Sequence, residues 1–454
     1  MEYISFDPFH RKENARFSTV SDEVLDDVIA GSHLAWKNWS REKTANRKNL
    51  LKALGDLLLM QKEMHAHTIV SEMGKPVTQA ISEVEKCASL CYYYADKVGE
   101  FSVVEKRTST NSESIVRYDP QGIILGIMPW NFPYWQAFRF IIPVVAGGNT
   151  VLLKHASVVP LCTLNIENVF IEAGFPENVV KTVFVSHGQL EKIIARREIR
   201  GVSLTGSTGA GRKIAATAGR FLKKTVLELG GSDPFIVFKD ADLPKAADAA
   251  VFGRFQNCGQ SCIAAKRLFV EAGILEIFLQ LFTDRVKKIR CGDPYNSDTF
   301  LGPMVNEGAV KEIEEQVINS TSEGVSILTG GKRLTDDSYI YLPTVVFGLP
   351  DDSPLLREEV FGPVIPVIEF SGIEEVIEMA NDSSFGLGAS VWTTNTNLAF
   401  QVASKLDTGT VAINGIVRSD PSLPFGGVKD SGIGRELSIE GFREFLNIKT
   451  VSIF

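Results

Sequence analysis

Residues 255–267, FQNCGQSCIAAKR, hold two cysteines four positions apart among glutamine, glycine and small side chains. A thiolate is both a nucleophile and a metal ligand, whereas a buried thiol is often only a small hydrophobe. Zinc needs about four ligands, and no second Cys or His pair lies near Cys258 and Cys262. A papain-like thiol hydrolase needs a histidine after its cysteine. All six histidines (His10, His33, His65, His67, His155, His187) come before Cys258. Thr225–Gly231, TVLELGG, places Glu228 in an apolar strand ending in a glycine pair. Desolvation there raises a carboxylate's proton affinity and suits it to general-base work, unless it is an exposed strand end. Met128–Pro133, MPWNFP, fixes Asn131 between prolines as a rigid amide donor or a turn former. Gly206-Ser207 opens GSTGAGRK, which fails the triphosphatase pattern because Arg212 and Ile214 stand where Lys and Ser or Thr belong. It still offers free N–H groups to an anion at a helix start.

The elements that must carry these groups read as follows. The first hundred residues predict helix, with Ser21 capping a segment through Val24, Leu25, Val28 and Ile29, and Ser40 capping one through Leu50–Leu58. From Gly122 strands and helices alternate: GIILGIM, TVLLK, VVKTVFV and GVSLTG as strands, with helices between them. Such alternation predicts a parallel sheet with helical crossovers, a doubly wound α/β domain, and a second alternating run follows to about residue 430. The terminal NIKTVSIF predicts a strand that needs a sheet elsewhere, in this or another subunit.

The 454 residues suffice for two or three domains, with 44% apolar and 22% charged residues. A net charge of −8 without a basic block argues against nucleic acid or an anionic membrane as partner. Six scattered cysteines suit a reducing cytoplasm, and the charged N-terminus lacks the apolar stretch of a signal peptide. The apolar run between Arg139 and Lys154 is too short and too broken by Pro143 and Gly147-Gly148 to span a bilayer.

Seven motifs together resemble the aldehyde dehydrogenase superfamily: PWNFP (129–133), LLKHAS (152–157), LTGST (204–208), LELGG (227–231), GQSCIAAKR (259–267), EEVFGPV (358–364) and LPFGGVKDSGIGRE (423–436). They occur in family order across nearly the whole chain, with Cys262 34 residues after Glu228. The resemblance implies an α/β fold with a Rossmann-like cofactor-binding domain (1–107 and 121–230), an α/β catalytic domain (231–430) and a small β oligomerisation element (108–120 and 431–454). It implies that Cys262 is the nucleophile, giving a thiohemiacetal and then a thioester. Asn131 and the Cys262 N–H would hold the oxyanion, and Glu228 would activate water. Trp130, Gly206 and Ser207 would lie along the cofactor pyrophosphate, Glu359 at its ribose and Phe361 at its nicotinamide; no metal is implied.

Ser157 replaces the acid that NAD-preferring relatives often carry, leaving room beside Lys154 for a 2′-phosphate, so NADP is expected over NAD. Arg139 and Ser419 match carboxylate-binding positions of bacterial succinate-semialdehyde dehydrogenases, with Trp135 and Phe425 as apolar walls. The alternative for Arg139 is a structural salt bridge. The expected reaction is oxidation of succinate semialdehyde to succinate by a cytoplasmic homodimer or homotetramer. Other short aldehydes, a cofactor-independent thiol esterase and a non-enzymatic binding protein are the alternatives. If Cys258 and Cys262 share a helical turn, their Cα atoms fall about 6 Å apart, within reach of a regulatory disulfide.

Overall fold

The computed structural model describes residues 2–109 and 112–454. An antiparallel hairpin comes first, β1 (Glu2–Asp7) against β2 (Lys12–Ser18), so the N-terminal region is not all helix. In β1 the buried face is Tyr3, Ser5 and Asp7, while Ile4 and Phe6 are half-buried. The apolar alternation that marks a strand is thereby inverted. Four helices follow: α1 (Asp22–Trp39), α2 (Thr44–Met60), α3 (Lys62–Met73) and α4 (Val77–Phe101). Ser21 caps α1 by accepting the Val24 N–H. Ser40 does not start the next helix; its N–H donates to Trp36 at the end of α1, and α2 begins beyond Lys43.

Two strands, β3 (Glu105–Ser109) and β4 (Ser112–Pro120), pair antiparallel, and the C-terminal strand Leu446–Ile453 adds to the other edge of β4. The terminal strand thus finds its sheet within its own chain. Thr110 and Asn111, inside the 108–120 segment expected to serve oligomerisation, lie outside the described residues.

The first large sheet holds β5 (Ile123–Met128), β6 (Thr150–His155), β7 (Val180–Thr182), β8 (Ile199–Thr205) and β9 (Lys224–Glu228). Its crossovers include α5 (Pro133–Ala146), α6 (Pro160–Glu172), α7 (His187–Ala195) and α8 (Thr208–Arg220). The order is β9-β8-β5-β6-β7, all parallel, with Gly432–Ile433 antiparallel on the outer side of β9. Strand order therefore reverses between β5 and β8. Open α/β sheets bind ligands at such a point, beyond the carboxyl ends of the strands. A second, seven-stranded sheet centres on β10 (Asp233–Val237) and β11 (Ala265–Glu271), which α9 (Leu243–Phe255) connects. Among the described residues no helix is long and apolar enough to cross a membrane.

Helix α5 is buried over its whole length, so water cannot satisfy its first N–H groups. It has no capping side chain of its own. Instead Glu83 of α4 accepts the N–H groups of Tyr134 and Trp135 at 2.9 and 3.0 Å. The same carboxylate pairs with buried Lys75, whose ammonium stands 3.7 Å from the centroid of the Phe132 ring. Removing one partner of a buried pair costs about 3–5 kcal/mol. Lys75→Met is therefore expected to lower both the thermal unfolding midpoint and kcat/KM; an unchanged midpoint would show that the pair does not hold α5.

Candidate active site

The two sheets meet where β9 ends in Glu228 and the chain crosses through Leu229–Ser232 into β10. This crossover presses on the cysteine loop: a Cβ on Gly231 would lie 2.6 Å from the Cys262 carbonyl oxygen. The loop itself turns sharply, with Asn257 at φ 52°, Cys258 at φ 57° and Gly259 at φ 70°. Three successive left-handed residues are not a helical turn, so the geometry assumed for a Cys258–Cys262 disulfide is not formed. Cys258 is buried in the core beside β11, with Phe255, Leu301 and Met304, whereas Cys262 packs against the core that contains α5.

Cys262 lines two cavities at once, and Gln136 is the only other residue that does so among the described residues. The first cavity, about 390 Å³, opens at the β5–β8 switch point. Trp130 and Asn131 follow β5, Gly206 and Ser207 follow β8, and Glu359 and Phe361 come from the second sheet. The Trp130 and Phe361 rings meet edge to face at 5.8 Å. Glu359 is held by the Gly231 N–H at 3.0 Å and by Lys266 at 2.5 Å. Ser207 caps α8, and Thr205 Oγ1 is buried there without a hydrogen-bond partner among the described residues. A cleft with an aromatic wall, a helix N-terminus and an unsatisfied hydroxyl suits a dinucleotide.

The second cavity, about 480 Å³, is lined by Trp135, Arg139, Ser419 and Phe425 together with Cys262. Arg139 is buried, ion-paired with Glu436, and stacks 4.6 Å from the Phe425 ring centroid. It therefore makes the structural salt bridge and lines the cavity as well. Lys154 and Ser157 reach neither cavity. They lie at and just beyond the end of β6, under the N-terminal hairpin, where Ile4 N–H donates to the Ser157 carbonyl at 2.9 Å and the Lys154 ammonium stands 5.7 Å from the Tyr3 ring centroid. Burial pushes Lys154 down to about 8.

Asn131 donates one amide N–H to the Gln260 carbonyl at 3.0 Å, which leaves its second N–H free. The Cys262 N–H has no acceptor among the described residues. Glu228 lines neither cavity. Its carboxylate lies against Gly426, where φ is 155° and a Cβ would fall 2.7 Å from Oε1. Neither Glu228 oxygen has a hydrogen-bond partner among the described residues. Burial drives this carboxyl well above the usual range, while Arg139 and then Arg435 pull against it and Glu436 adds to it. Such a carboxyl holds a proton more tightly than an exposed one does.

Of the residues that build the site, Gln136 and the Lys75–Glu83 pair were not legible in the sequence, and Thr205 and Lys266 stood within LTGST and GQSCIAAKR without being singled out. Glu436 stood within a quoted motif, but only its contact with Arg139 reveals its part.

A half-buried thiol thus stands beside a crevice that suits a dinucleotide, the arrangement of a cofactor-dependent oxidoreductase. Residues 2–451 match the family profile described as "Aldehyde dehydrogenase family". The chain is 45% identical over 409 residues to a probable succinate-semialdehyde dehydrogenase [NADP(+)] of Synechocystis, covering 90% of each chain. It is 43% identical over 440 residues to succinate-semialdehyde dehydrogenase [NADP(+)] 1 of Mycobacterium tuberculosis, covering 96% of each. The crystal structure of the Streptococcus pyogenes succinic semialdehyde dehydrogenase in complex with NADP+ superimposes with a TM-score of 0.97 at 36% identity, over 99% of both chains. This chain belongs to the aldehyde dehydrogenase family.

Burial pushes the Cys262 thiol up to about 11, against the pull of Arg139 and then Lys266. A raised pKa moves thiolate formation to higher pH. Inactivation of the cofactor-free enzyme by iodoacetamide should therefore keep rising, about tenfold per pH unit, through pH 9, and Cys262→Ser should abolish it. A plateau near pH 8 would contradict this.

Proposed function

We propose that the protein oxidises succinate semialdehyde to succinate on Cys262, with NADP preferred over NAD. The observation that carries this reading is the single thiol shared by the two cavities, which lets one sulfur face the aldehyde on one side and the nicotinamide on the other. The relatives named above support the substrate and the cofactor.

The Cys262 thiolate attacks the aldehyde carbon, and the free Asn131 and Cys262 N–H groups donate to the oxygen as it becomes an oxyanion. NADP, when bound, supplies the hydride acceptor. Trp130, Phe361 and Glu359 orient its nicotinamide end, and Gly206 and Ser207 receive its pyrophosphate at the start of α8. Loss of hydride leaves a thioester on Cys262. Glu228, with both oxygens free, takes a proton from the water that cleaves it. Ser419 and the remaining donors of Arg139 face the substrate carboxylate, between Trp135 and Phe425. Lys154 carries no ion pair among the described residues, and with Ser157 it accommodates the 2′-phosphate.

The domain division expected from the resemblance is retained as a proposal, supported by the passage from β9 to β10 between sheets at Gly231. The same holds for a homodimer or homotetramer, supported by the unpaired outer edge of the C-terminal strand, which exposes Ile448, Val451 and Ile453. A cytoplasmic location is proposed on the six free cysteines.

NADPH formation at 340 nm tests the reading. Succinate semialdehyde should exceed propionaldehyde in kcat/KM; equal values would remove the substrate assignment. A hydrogen bond to a charged group is worth about 1.5–3 kcal/mol, or roughly 10- to 100-fold. Ser157→Glu should lower NADP efficiency by that order and reverse the preference toward NAD. Retained NADP preference in this variant would place the 2′-phosphate elsewhere.

A further inference from the structure

Three cations line the Cys262 cavity that would receive the substrate: Arg139, Arg418 and Lys86. Arg139 already has its charge balanced by Glu436. Arg418 is exposed, 5.8 Å from the centroid of the Phe252 ring, where water screens it. Lys86 differs from both. It lies on α4 three residues after Glu83, on the helix face turned to α5. Its ammonium is partly buried, 4.0 Å from the Trp135 ring centroid and 2.8 Å from Ser419 Oγ. The neighbouring carboxylates are engaged elsewhere: Glu83 with Lys75 and the start of α5, Asp420 with Ser422. Among the described residues no carboxylate forms an ion pair with Lys86.

The Ser419 hydroxyl adds an independent observation. It accepts from Lys86 Nζ and, at 3.1 Å, from Trp135 Nε1. A hydroxyl has two acceptor lone pairs and one proton. With both lone pairs engaged, the proton is left to donate, and no protein acceptor receives it among the described residues. Ser419 lines the cavity, so that donor is available to a ligand there.

We infer that Lys86 is a specificity-determining residue: it supplies the uncompensated positive charge, and with Trp135 it orients the Ser419 hydroxyl as a donor, for the carboxylate of a short aldehyde acid. This rests on the succinate semialdehyde reading above. Burial and then Arg139 push Lys86 down to about 8, and an arriving carboxylate favours its charged form.

The test compares kcat/KM for succinate semialdehyde and propionaldehyde at saturating NADP in wild type, Lys86→Met and Lys86→Arg. Lys86→Met should lower the semialdehyde-to-propionaldehyde ratio roughly 10- to 100-fold, chiefly through KM, and Lys86→Arg should restore most of it. Inhibition by succinate should weaken in parallel. If Lys86→Met does not fold, Ser419→Ala must shift the ratio in the same direction. Equal losses on both aldehydes, or an unchanged ratio in a wild-type background that prefers the semialdehyde, would overturn the Lys86 assignment alone. A wild type that prefers neither aldehyde would overturn the substrate reading, and Lys86 with it.

Discussion

A helix buried on every side needs its first N–H groups answered from within the protein, and in α5 the carboxylate of Glu83 answers two of them. Three parts of the site hang on this contact. Asn131 stands two residues before α5, Trp135 and Gln136 occupy its first turn, and Arg139 follows one turn later. Lys75 pairs with Glu83 there, and losing either partner of a buried pair would leave the other charge uncompensated. The acid that sets the oxyanion donor thus sits one helical turn from Lys86, which faces the other end of the same cavity wall. The proposed oxyanion donor and the proposed carboxylate site share one support.

The buried charges divide by whether they are paired. Lys75 with Glu83, Arg139 with Glu436 and Lys266 with Glu359 each bind a cation to an anion and fix a segment of the site. Such pairs add little net stability over apolar packing, and their evident effect here is to define geometry. Glu228 forms no ion pair among the described residues, and burial raises its proton affinity. The Cys262 thiol is likewise held neutral by burial in the free protein, with Arg139 and Lys266 as the nearest charges favouring ionisation. The two groups proposed to do chemistry are both left without a compensating charge partner among the described residues.

The strand–helix alternation from Gly122 onward was legible in the sequence because buried parallel strands are continuous apolar runs between glycine and proline stops. The motifs around Asn131, Glu228 and Cys262 were legible because their chemistry restricts residue type locally. Other features depend on partners far along the chain. The β1 strand hides polar Ser5 and Asp7 and so defeats a pattern reading. Ser40 has the right type for a helix start but closes a helix instead. Lys86 lies in an ordinary amphipathic segment, and only its contact with Ser419, 333 positions away, brings it to the cavity. The left-handed turn at Asn257–Gly259, which separates Cys258 from Cys262, follows from packing against Gly362 rather than from any helix signal.

The central claim is that one sulfur, Cys262, carries the substrate between the two cavities. The most direct test mixes a Glu228→Gln variant with NADP and succinate semialdehyde, quenches within milliseconds, and reads both NADPH and the mass of the cysteine peptides. The expected result is a burst of NADPH stoichiometric with protomers and a succinyl thioester confined to the peptide of Cys262, persisting because water activation is lost. NADPH release without a covalent adduct, or an adduct on Cys258 or another cysteine, would contradict it.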